Sequence, residues 1–223
     1  MSTDALVRLL QLASPTLPVG AYSYSQGLEA AIENGDVRDA ESAQRWIGDV
    51  LALSVASLEG PVMLRLMRAW QDGDPAAARR WNDDFLASRE TAELRAETLQ
   101  MGYSLRKLIE GLSAGAEPSL QAIDEISFPA AFAFAAHASG IPASDALAGY
   151  LFAWVENQAL AASKAIPLGQ TDTQRLLRDV AAGIPALAER AARLGDDELS
   201  NFAPGLALAS CRHETQYSRL FRS

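Results

Sequence analysis

Few residues of this chain have side chains suited to metal binding. The soft metal ligands are His137, Cys211 and His213, whereas a closed structural site needs about four ligands. Cys211 and His213 could supply two of them, and two copies of the chain could complete a site only if these segments met at a two-fold axis. His137 lies in an alanine-rich stretch, where a histidine buried in the core is the expected role. The residues therefore favour a protein without a metal site.

Motifs for nucleotide binding and for serine nucleophiles are missing from the sequence. Neither Lys107 nor Lys164 follows a glycine in the frame G-x-x-x-x-G-K-[ST], and no G-x-G-x-x-G opens a helix after a strand. Ser23, Ser25 and Ser210 lack a G-x-S-x-G context. We therefore expect a non-enzymatic protein without a nucleotide site of its own.

The bulk charge of the chain is acidic, with a formal net charge of -9 and a pI of about 4.7. Such a charge repels phosphate backbones, so nucleic acid is excluded as a partner. One cysteine fits a reducing cytoplasm, and no apolar run approaches the roughly 20 residues that a membrane helix needs. Four acidic residues are interpreted as solvated helix faces: Glu29, Glu90, Glu93 and Glu97. We expect a cytoplasmic protein that does not enter a membrane.

Helical spacing of apolar residues dominates the chain. Leu94, Met101 and Leu105, for example, fall on one helical face. No alternating β-branched runs with hairpin turns occur, so the sequence predicts an all-α fold. The predicted helices span about 4–12, 39–58, 61–70, 94–112, 128–139, 144–165 and 171–194, with one more that ends near 34 and one that starts after Asp74. Ser144 is the expected N-cap of the helix over 144–165, and Thr171 with Gln174 forms a capping box for the helix over 171–194. Breaks are expected at Gly60 with Pro61 and at a loop over 111–119.

Two stretches are unusual in composition. Residues 15–29 mix prolines, hydroxyl groups and two tyrosine rings. Residues 204–223, here called the tail, carry apolar side chains interleaved with arginines: Tyr217, Leu220 and Phe221 with Arg212, Arg219 and Arg222. Tyr, Phe and Arg are enriched at protein interfaces. The tail therefore docks on another protein or packs as a last helical turn on its own domain, and the residues alone leave both interpretations open.

Four motifs resemble those of the urease accessory protein UreF family. They are SPTLPVGAYSYSQGLE at 14–29, SRETAELR at 88–95, IPLGQ at 166–170 and RHETQYSRLFRS at 212–223. The resemblance spans the chain, and its first and last motifs are the most specific. One departure is Thr173, where many relatives carry glycine; we interpret it as a variation in a helix start.

The resemblance implies a single UreF-like all-α domain over 1–223, a helical bundle of roughly eight to ten helices that forms a cytoplasmic homodimer. It implies assembly with UreD (called UreH in some species), with the GTPase UreG and, through this complex, with the urease apoprotein. The resemblance implies a urease maturation factor: the complex would insert nickel into urease in a GTP-dependent way. The chain would then be a scaffold and regulator of chaperone type, while partner proteins handle nickel and GTP. An alternative is a GTPase-activating or gating factor that supplies a cation, such as Lys164, to UreG.

Three structural expectations accompany this assignment. Tyr22, Tyr24, Gln26 and Glu29 should lie on a partner-facing surface. Removal of residues 212–223 should leave a folded dimer that no longer binds UreD. Dimer contacts are expected on the segments 128–138 and 147–154, whose apolar area is generous for the surface of one domain. The residues expected to bind partners are Tyr22, Tyr24, Gln26, Glu29, Lys164, Arg212, His213, Glu214, Gln216, Tyr217, Arg219, Leu220, Phe221 and Arg222.

Overall fold

The computed structural model describes residues 1–112 and 118–223. These residues form one compact domain of helices and turns and contain no strand, so the predicted all-α fold is confirmed. The helices are α1 (Thr3–Leu12), α2 (Leu28–Glu33), α3 (Ala40–Val50), a π-helical stretch (Leu51–Glu59), α4 (Gly60–Gln71), α5 (Pro75–Ala87), α6 (Ala92–Leu112), α7 (Pro118–Gln121), α8 (Phe128–Ala138), α9 (Ala143–Ala165), α10 (Gln170–Ala181), α11 (Ile184–Arg193) and α12 (Pro204–His213), with 3-10 turns at Ala21–Ser23 and Asp196–Glu198.

The longest element is a continuous helix over Ala40–Gln71, made of α3, the π-helical stretch and α4. The predicted break at Gly60 and Pro61 is therefore wrong. Pro61 has no backbone N–H, so it cannot donate to the carbonyl of Ser57, four residues earlier. The N–H of Ser200 donates to that carbonyl instead, at 3.1 Å. A distant segment thus satisfies the group that the proline leaves free, and the helix continues.

By length and composition alone, this continuous helix could cross a membrane. That finding corrects the expectation that no apolar run approaches the required length, an expectation that arose because the sequence was divided at Pro61. Within the fold, 78% of the most apolar window of the helix is buried. Burial of this extent is typical of a core helix in a folded domain.

Helix α8 occupies the centre of the core, where it packs against α4 and α6. Every residue from 129 to 136 is buried, and small alanines allow the close approach of neighbouring helices. The ring of Phe132 packs edge-on against Tyr150 of α9, with 5.1 Å between centroids. The expectation that α8 carries spare apolar surface for a dimer is therefore wrong, because its apolar side chains are used inside the chain. The homodimer itself stays a prediction.

Helix α6 is fixed in place by a close backbone contact. A Cβ atom at Gly102 would lie 2.1 Å from the carbonyl oxygen of Ile126, so only glycine permits this approach. Near the same contact, the Thr98 hydroxyl accepts a hydrogen bond from the N–H of Phe128 at 3.0 Å. These contacts hold the preceding turns of α6 in a fixed position, and those turns carry Glu93 and Glu97.

Three predicted boundaries are wrong. The helix predicted over 171–194 is two helices, α10 and α11, because Pro185 cannot continue the hydrogen bonds of α10 and instead occupies the first turn of α11. Thr171 lies inside α10, whose N-cap is Gly169 without a side-chain hydrogen bond, so the predicted capping box does not form. Helix α9 begins before Ser144, with Pro142 as N-cap.

The loop predicted over 111–119 is only partly described. Residues 111–112 belong to α6 and residues 118–119 to α7, so its two ends are helical. The part of this loop that spans 113–117 lies outside the described residues.

Candidate functional site

A tight turn precedes α2 and shapes the floor of the site. Gln26 has a φ of 51° and Gly27 a φ of 77°, both in the left-handed region. A Cβ atom at Gly27 would lie 3.3 Å from the side chain of Ala209 and from the backbone nitrogen of Ser210. Glycine is therefore needed both for the turn and for the close approach of α12. The turn leads directly into α2, which carries Glu29.

The Glu29 carboxylate holds the tail. Its oxygens accept hydrogen bonds from the backbone N–H groups of Leu220 at 2.7 Å and Phe221 at 2.9 Å. The side-chain amide of Gln216 lies 3.5 Å and Nε2 of His213 3.3 Å from the same carboxylate. Glu29 is itself buried, so its carboxylate has lost the water that would solvate it at the surface. The donors of the tail take the place of that water.

His213 lies fully buried between two carboxylates. Its Nδ1 is 2.6 Å from Glu93, and its Nε2 faces Glu29. Each ring nitrogen of His213 thus lies against a carboxylate oxygen, one on α6 and one on α2. Arg219 adds an ion pair to the other oxygen of Glu93 at 2.6 Å and donates to the backbone carbonyl of Glu214 at 2.7 Å. The cluster links α2, α6 and the tail through two carboxylates and the side chains that face them.

The final residues of the tail pair with the turn before α2. The backbone oxygen of Ser223 accepts from the N–H groups of Ser25 and Gln26, at 2.7 and 3.1 Å, and from the Ser25 hydroxyl at 2.6 Å. The N–H of Arg222 donates to the carbonyl of Ser23 at 2.8 Å. Between these contacts and Glu29, the ring of Phe221 is only 6% exposed. Backbone and side-chain contacts together dock the tail on its own chain.

Glu97 joins the end of the tail to helix α9. Its carboxyl group accepts from the Gln26 amide at 2.7 Å and from the Ser223 hydroxyl at 2.8 Å. The Gln26 carbonyl in turn accepts from the Trp154 indole N–H at 2.6 Å. Burial raises the pKa of Glu97 to about 7, and its hydrogen bonds with Gln26 and Ser223 oppose that rise. A pKa near 7 means that this buried carboxyl group titrates around neutral pH, within a polar network that the tail completes.

The opposite face of the tail is open. Tyr217 is fully exposed, Leu220 is 70% exposed, and Arg212 and Arg222 are exposed as well. The Lys164 ammonium lies 5.8 Å from the ring centroid of Tyr22 and 5.7 Å from that of Phe221. Tyr22, which is also exposed, therefore flanks the end of the docked tail. Aromatic rings and cations share this outer face.

The residues predicted to bind partners divide between the two faces. Buried or half-buried are Tyr24, Gln26, Glu29, His213, Gln216 and Phe221; exposed are Tyr22, Lys164, Arg212, Glu214, Tyr217, Arg219, Leu220 and Arg222. The expected surface position is wrong for Tyr24 and Glu29, because the tail covers this region: burial raises the pKa of the Tyr24 hydroxyl, and Glu29 binds the tail. Whether any of these residues contacts a partner stays a prediction.

The tail makes buried contacts with its own domain, which argues against the expectation that removal of residues 212–223 leaves a folded dimer; the loss of UreD binding stays a prediction. Its removal would leave Glu29 and Glu93 without the tail donors described above, and would leave Glu97 with only the Gln26 amide. Glu214 adds a further internal role, since its carboxylate accepts from the N–H of Ala92 at 2.9 Å at the start of α6. The tail is thus part of the domain on one face and exposed on the other.

The two histidines exchange the roles that the sequence predicts. His137 is exposed at the end of α8, whereas His213 is the buried histidine. Both ring nitrogens of His213 face carboxylates, so in this arrangement they are not free to join exposed Cys211 as metal ligands. Among the described residues, no group of three or more His, Cys, Asp or Glu side chains is arranged to hold a metal ion.

Sequence reasoning missed Glu93 and Glu97 as site residues. Both were interpreted as part of a solvated helix face, but their side chains are largely buried and bind the tail. Their spacing of four residues places them on one face of α6. That spacing, inside the SRETAELR motif and its next turn, was the available signal.

Comparisons with known proteins agree on one family. The UreF family model matches residues 37–181. The chain is 60% identical to the urease accessory protein UreF of Azoarcus sp. (strain BH72), over 98% of this chain and 95% of that protein. It is 56% identical to the urease accessory protein UreF of Methylobacillus flagellatus, over 98% of each chain. A third relative of the same name, from Janthinobacterium sp. (strain Marseille), is 54% identical over the full length of both.

Proposed function

The chain belongs to the UreF family of urease accessory proteins, and from this premise we propose that it is a non-catalytic scaffold that joins UreD (UreH) and the GTPase UreG. In this proposal the partners handle nickel and GTP, and the assembled complex acts on the urease apoprotein in the cytoplasm. The scaffold works as a homodimer. Its own contribution is to hold a recognition surface in a fixed shape.

The outer face of the docked tail is the observation that carries the proposal. Tyr217 and Leu220 stand exposed on a segment whose inner side is bound to Glu29 and Glu97. Large apolar and aromatic side chains held in one conformation lose little entropy when a partner covers them. Tyrosine is also among the residue types that dominate binding energy at interfaces. A rigid tail with exposed rings is therefore suited to binding another protein.

Charge on this face indicates the kind of surface that would bind it. The protein is acidic overall, with a net charge of -9, whereas exposed Arg212, Arg222 and Lys164 lie on or beside the tail. A local cationic patch on an acidic protein favours a partner with complementary acidic groups and disfavours random association. We propose that acidic groups of UreD or UreG meet this patch.

Lys164 supports a second candidate function, stimulation or gating of GTP hydrolysis by UreG. Its ammonium is exposed yet positioned by the rings of Tyr22 and Phe221. A cation supplied from outside to a GTPase site stabilises charge in the transition state. In this version, Lys164→Ala leaves complex formation intact but removes acceleration of GTP turnover.

A pull-down with purified UreD and UreG, separately and together, with and without GTP, tests the proposal. The variant Tyr22→Ala with Tyr217→Ala is expected to reduce retention of at least one partner tenfold or more, by loss of interface anchors of about 1–2 kcal/mol each. Tyr103→Ala removes a half-exposed tyrosine of α6 and serves as the control. Unchanged retention by the double variant would contradict the proposed surface.

One further measurement separates the candidate functions, and another tests the homodimer. GTP turnover by UreG, with wild type or with Lys164→Ala added, distinguishes a scaffold, which leaves the rate unchanged, from an activator. Light scattering at micromolar concentration gives the mass of the protein, and a monomeric mass would contradict the homodimer.

A further inference from the structure

A cavity of about 240 Å³ is lined by helix α9, by α6 and α8, and by the segment that links α1 to α2. Its lining includes exposed Pro15, Tyr22 and Leu160 at one end and buried Phe85 and Phe132 at the other. A cavity of about 150 Å³ admits benzene, so on the same scale this space holds about nine non-hydrogen atoms. The cavity therefore reaches solvent at one end and suits a small organic molecule.

The inner part of the cavity is aromatic and apolar. Phe128, Phe132 and Tyr150 form a cluster of rings whose centroids lie 5.1 to 6.0 Å apart. Met101 lies in the same lining. Rings and thioether groups of this kind pack well against another aromatic ring. The apolar part of a ligand therefore belongs at the inner end.

The charged groups at the inner end are already bound within the protein. Glu59 pairs with Arg89 at 3.0 Å and accepts a hydrogen bond from the Tyr150 hydroxyl at 2.9 Å. The guanidinium of Arg89 also lies over the ring of Phe85, with 4.3 Å to its centroid. Glu97 accepts the two hydrogen bonds described above. Among the described residues that line the cavity, Arg89 is the one cation, so no positive charge is available to a ligand.

Glu156 differs from these groups. It lies in the lining on α9, half-buried and one turn from exposed Leu160. Burial raises the pKa of Glu156, and no hydrogen bond or neighbouring cation among the described residues opposes that rise. The ammonium of Lys164, about 12 Å further along the same helix, lies at the rings of Tyr22 and Phe221 instead. The cavity therefore has a carboxylate without a counter-charge near its open end.

This carboxylate determines the charge of the ligand. An anion would be repelled by Glu156 and by Glu59 and Glu97 deeper in the lining. An uncharged molecule would remove water from Glu156 without supplying a counter-charge, which costs free energy. A metal ion would need several oxygen ligands around it, and within the described residues no group of three or more His, Cys, Asp or Glu side chains is so arranged. One organic ammonium group satisfies the carboxylate and keeps contact with water.

We propose that this cavity binds a small organic amine with a single aromatic ring. Its ammonium group pairs with Glu156, and its ring lies among Met101, Phe128 and Phe132. The bound molecule contacts both α9 and the proline-rich segment over 12–22, so it holds that segment against the domain. Tyr22 ends this segment and flanks the docked tail, so occupancy of the cavity steadies a ring of the outer face.

Titration of the full-length protein with three probes of similar size tests this site. Phenethylamine is the ammonium probe, phenethyl alcohol is uncharged, and phenylacetate is an anion. Binding is followed at constant pH by NMR shifts of the Met101 methyl group and the Trp154 indole N–H. We expect saturable binding of phenethylamine about tenfold tighter than that of phenethyl alcohol, from one hydrogen-bonded pair with a charged acceptor, and no saturable binding of phenylacetate.

Two variants locate the bound molecule. Glu156→Gln removes the charge at nearly constant size, so the affinity for phenethylamine should fall about tenfold, to that for phenethyl alcohol. Glu33→Gln makes the same change at an exposed site outside the lining and serves as the control. Ala153→Phe fills the cavity from α9 and should abolish binding of both probes. Because Glu156 is only half-buried, its glutamine variant tests the site even if Ala153→Phe does not fold.

Any of four results would overturn the proposal. Equal affinity of the wild type for phenethylamine and phenethyl alcohol would show that the ammonium group is not recognised. Binding of phenylacetate as tight as that of phenethylamine would contradict the cationic class. Unchanged phenethylamine affinity in Glu156→Gln would exclude this carboxylate as its partner. Absence of saturable shifts for all probes, or shifts that persist in folded Ala153→Phe, would show that the cavity is not the binding site.

Discussion

The tail has two faces with similar residue types and opposite environments. Leu220 and Phe221 are neighbours in sequence, yet Leu220 is 70% exposed and Phe221 only 6%. On the inner face, Phe221 and His213 pack against α2 and α6, and the backbone of the segment binds Glu29 and Ser25. On the outer face, Tyr217 contacts little of its own chain. Composition alone does not distinguish the two faces.

The two faces of the tail have different tasks, stability on the inner face and recognition on the outer face. The inner face stabilises the domain, because its donors match buried carboxylates of α2 and α6. The outer face adds little to stability and presents aromatic and cationic groups for recognition. Substitutions on the inner face should therefore lower stability, whereas those on the outer face should change partner binding at nearly constant stability.

Glu29→Ala should have the largest effect on stability. It removes the carboxylate that pairs with His213 and accepts the N–H groups of Leu220 and Phe221. Loss of one member of a buried charged cluster costs about 3–5 kcal/mol. Urea denaturation measures the change, with Glu33→Ala, an exposed carboxylate of the same helix, as control. A loss below about 1 kcal/mol would show that the inner face does not depend on this carboxylate.

Phe221→Ala and Leu220→Ala form the most direct comparison of the two faces. Truncation of a buried phenylalanine costs about 3 kcal/mol or more through lost burial and a cavity. The same truncation at exposed Leu220 should stay within about 0.5 kcal/mol. Both free energies of unfolding come from the same urea experiment. Equal losses would mean that the faces are not separated as described.

The pH dependence of stability should change in Glu97→Gln. The folded-state pKa of Glu97 is about 7, above the ordinary 4.5, so its contribution is full below about pH 4.5 and is lost as pH rises through about 7. Between pH 5.5 and 8.0 this group should lower the stability of the wild type by about 2 kcal/mol relative to the variant, whose amide does not ionise.

Measurement of both proteins by urea denaturation at these two pH values tests the assignment to Glu97. If the free energies of unfolding of wild type and variant differed by the same amount at pH 5.5 and pH 8.0, this carboxyl group would not titrate between these pH values. In that case the junction of the tail with Gln26 and Trp154 would not be sensitive to neutral pH.

Tyr217→Ala should have the smallest effect on stability, within about 0.5 kcal/mol, because the side chain is fully exposed. Under the proposed function, the same variant weakens partner retention while its circular dichroism and unfolding midpoint match the wild type. If Tyr217→Ala lowered stability and partner binding together, Tyr217 would belong to the inner face of the tail.

Sequence patterns were sufficient for the fold class but not for the site. Periodic apolar residues such as Leu94, Met101 and Leu105 predict helices because that signal is local. The burial of Glu93 and Glu97 depends on donors 71 to 126 residues away, which no local pattern contains. The break predicted at Pro61 is wrong for the same reason, since the donor to the Ser57 carbonyl is the N–H group of the distant Ser200.

The histidines illustrate the limits of local composition. Alanines around His137 predicted burial, but α8 ends there and its last turn reaches the surface. His213 was predicted to bind a partner and considered as a metal ligand, but two carboxylates from other helices enclose it. Burial of a polar residue is decided by what the fold brings to it.

The distance along the chain between Glu29 and its tail donors has a consequence for the order of folding. Glu29 and Leu220 are 191 residues apart. At ribosomal rates of about 5–20 residues per second, the turn before α2 is synthesised about 10 to 40 s before the segment that closes it. During this interval Glu29 lacks the tail donors that bind it in the folded domain. The face that presents Tyr217 therefore forms only after the helices on which the tail rests have been synthesised, so a partner that binds this face selects chains in which those helices are already present.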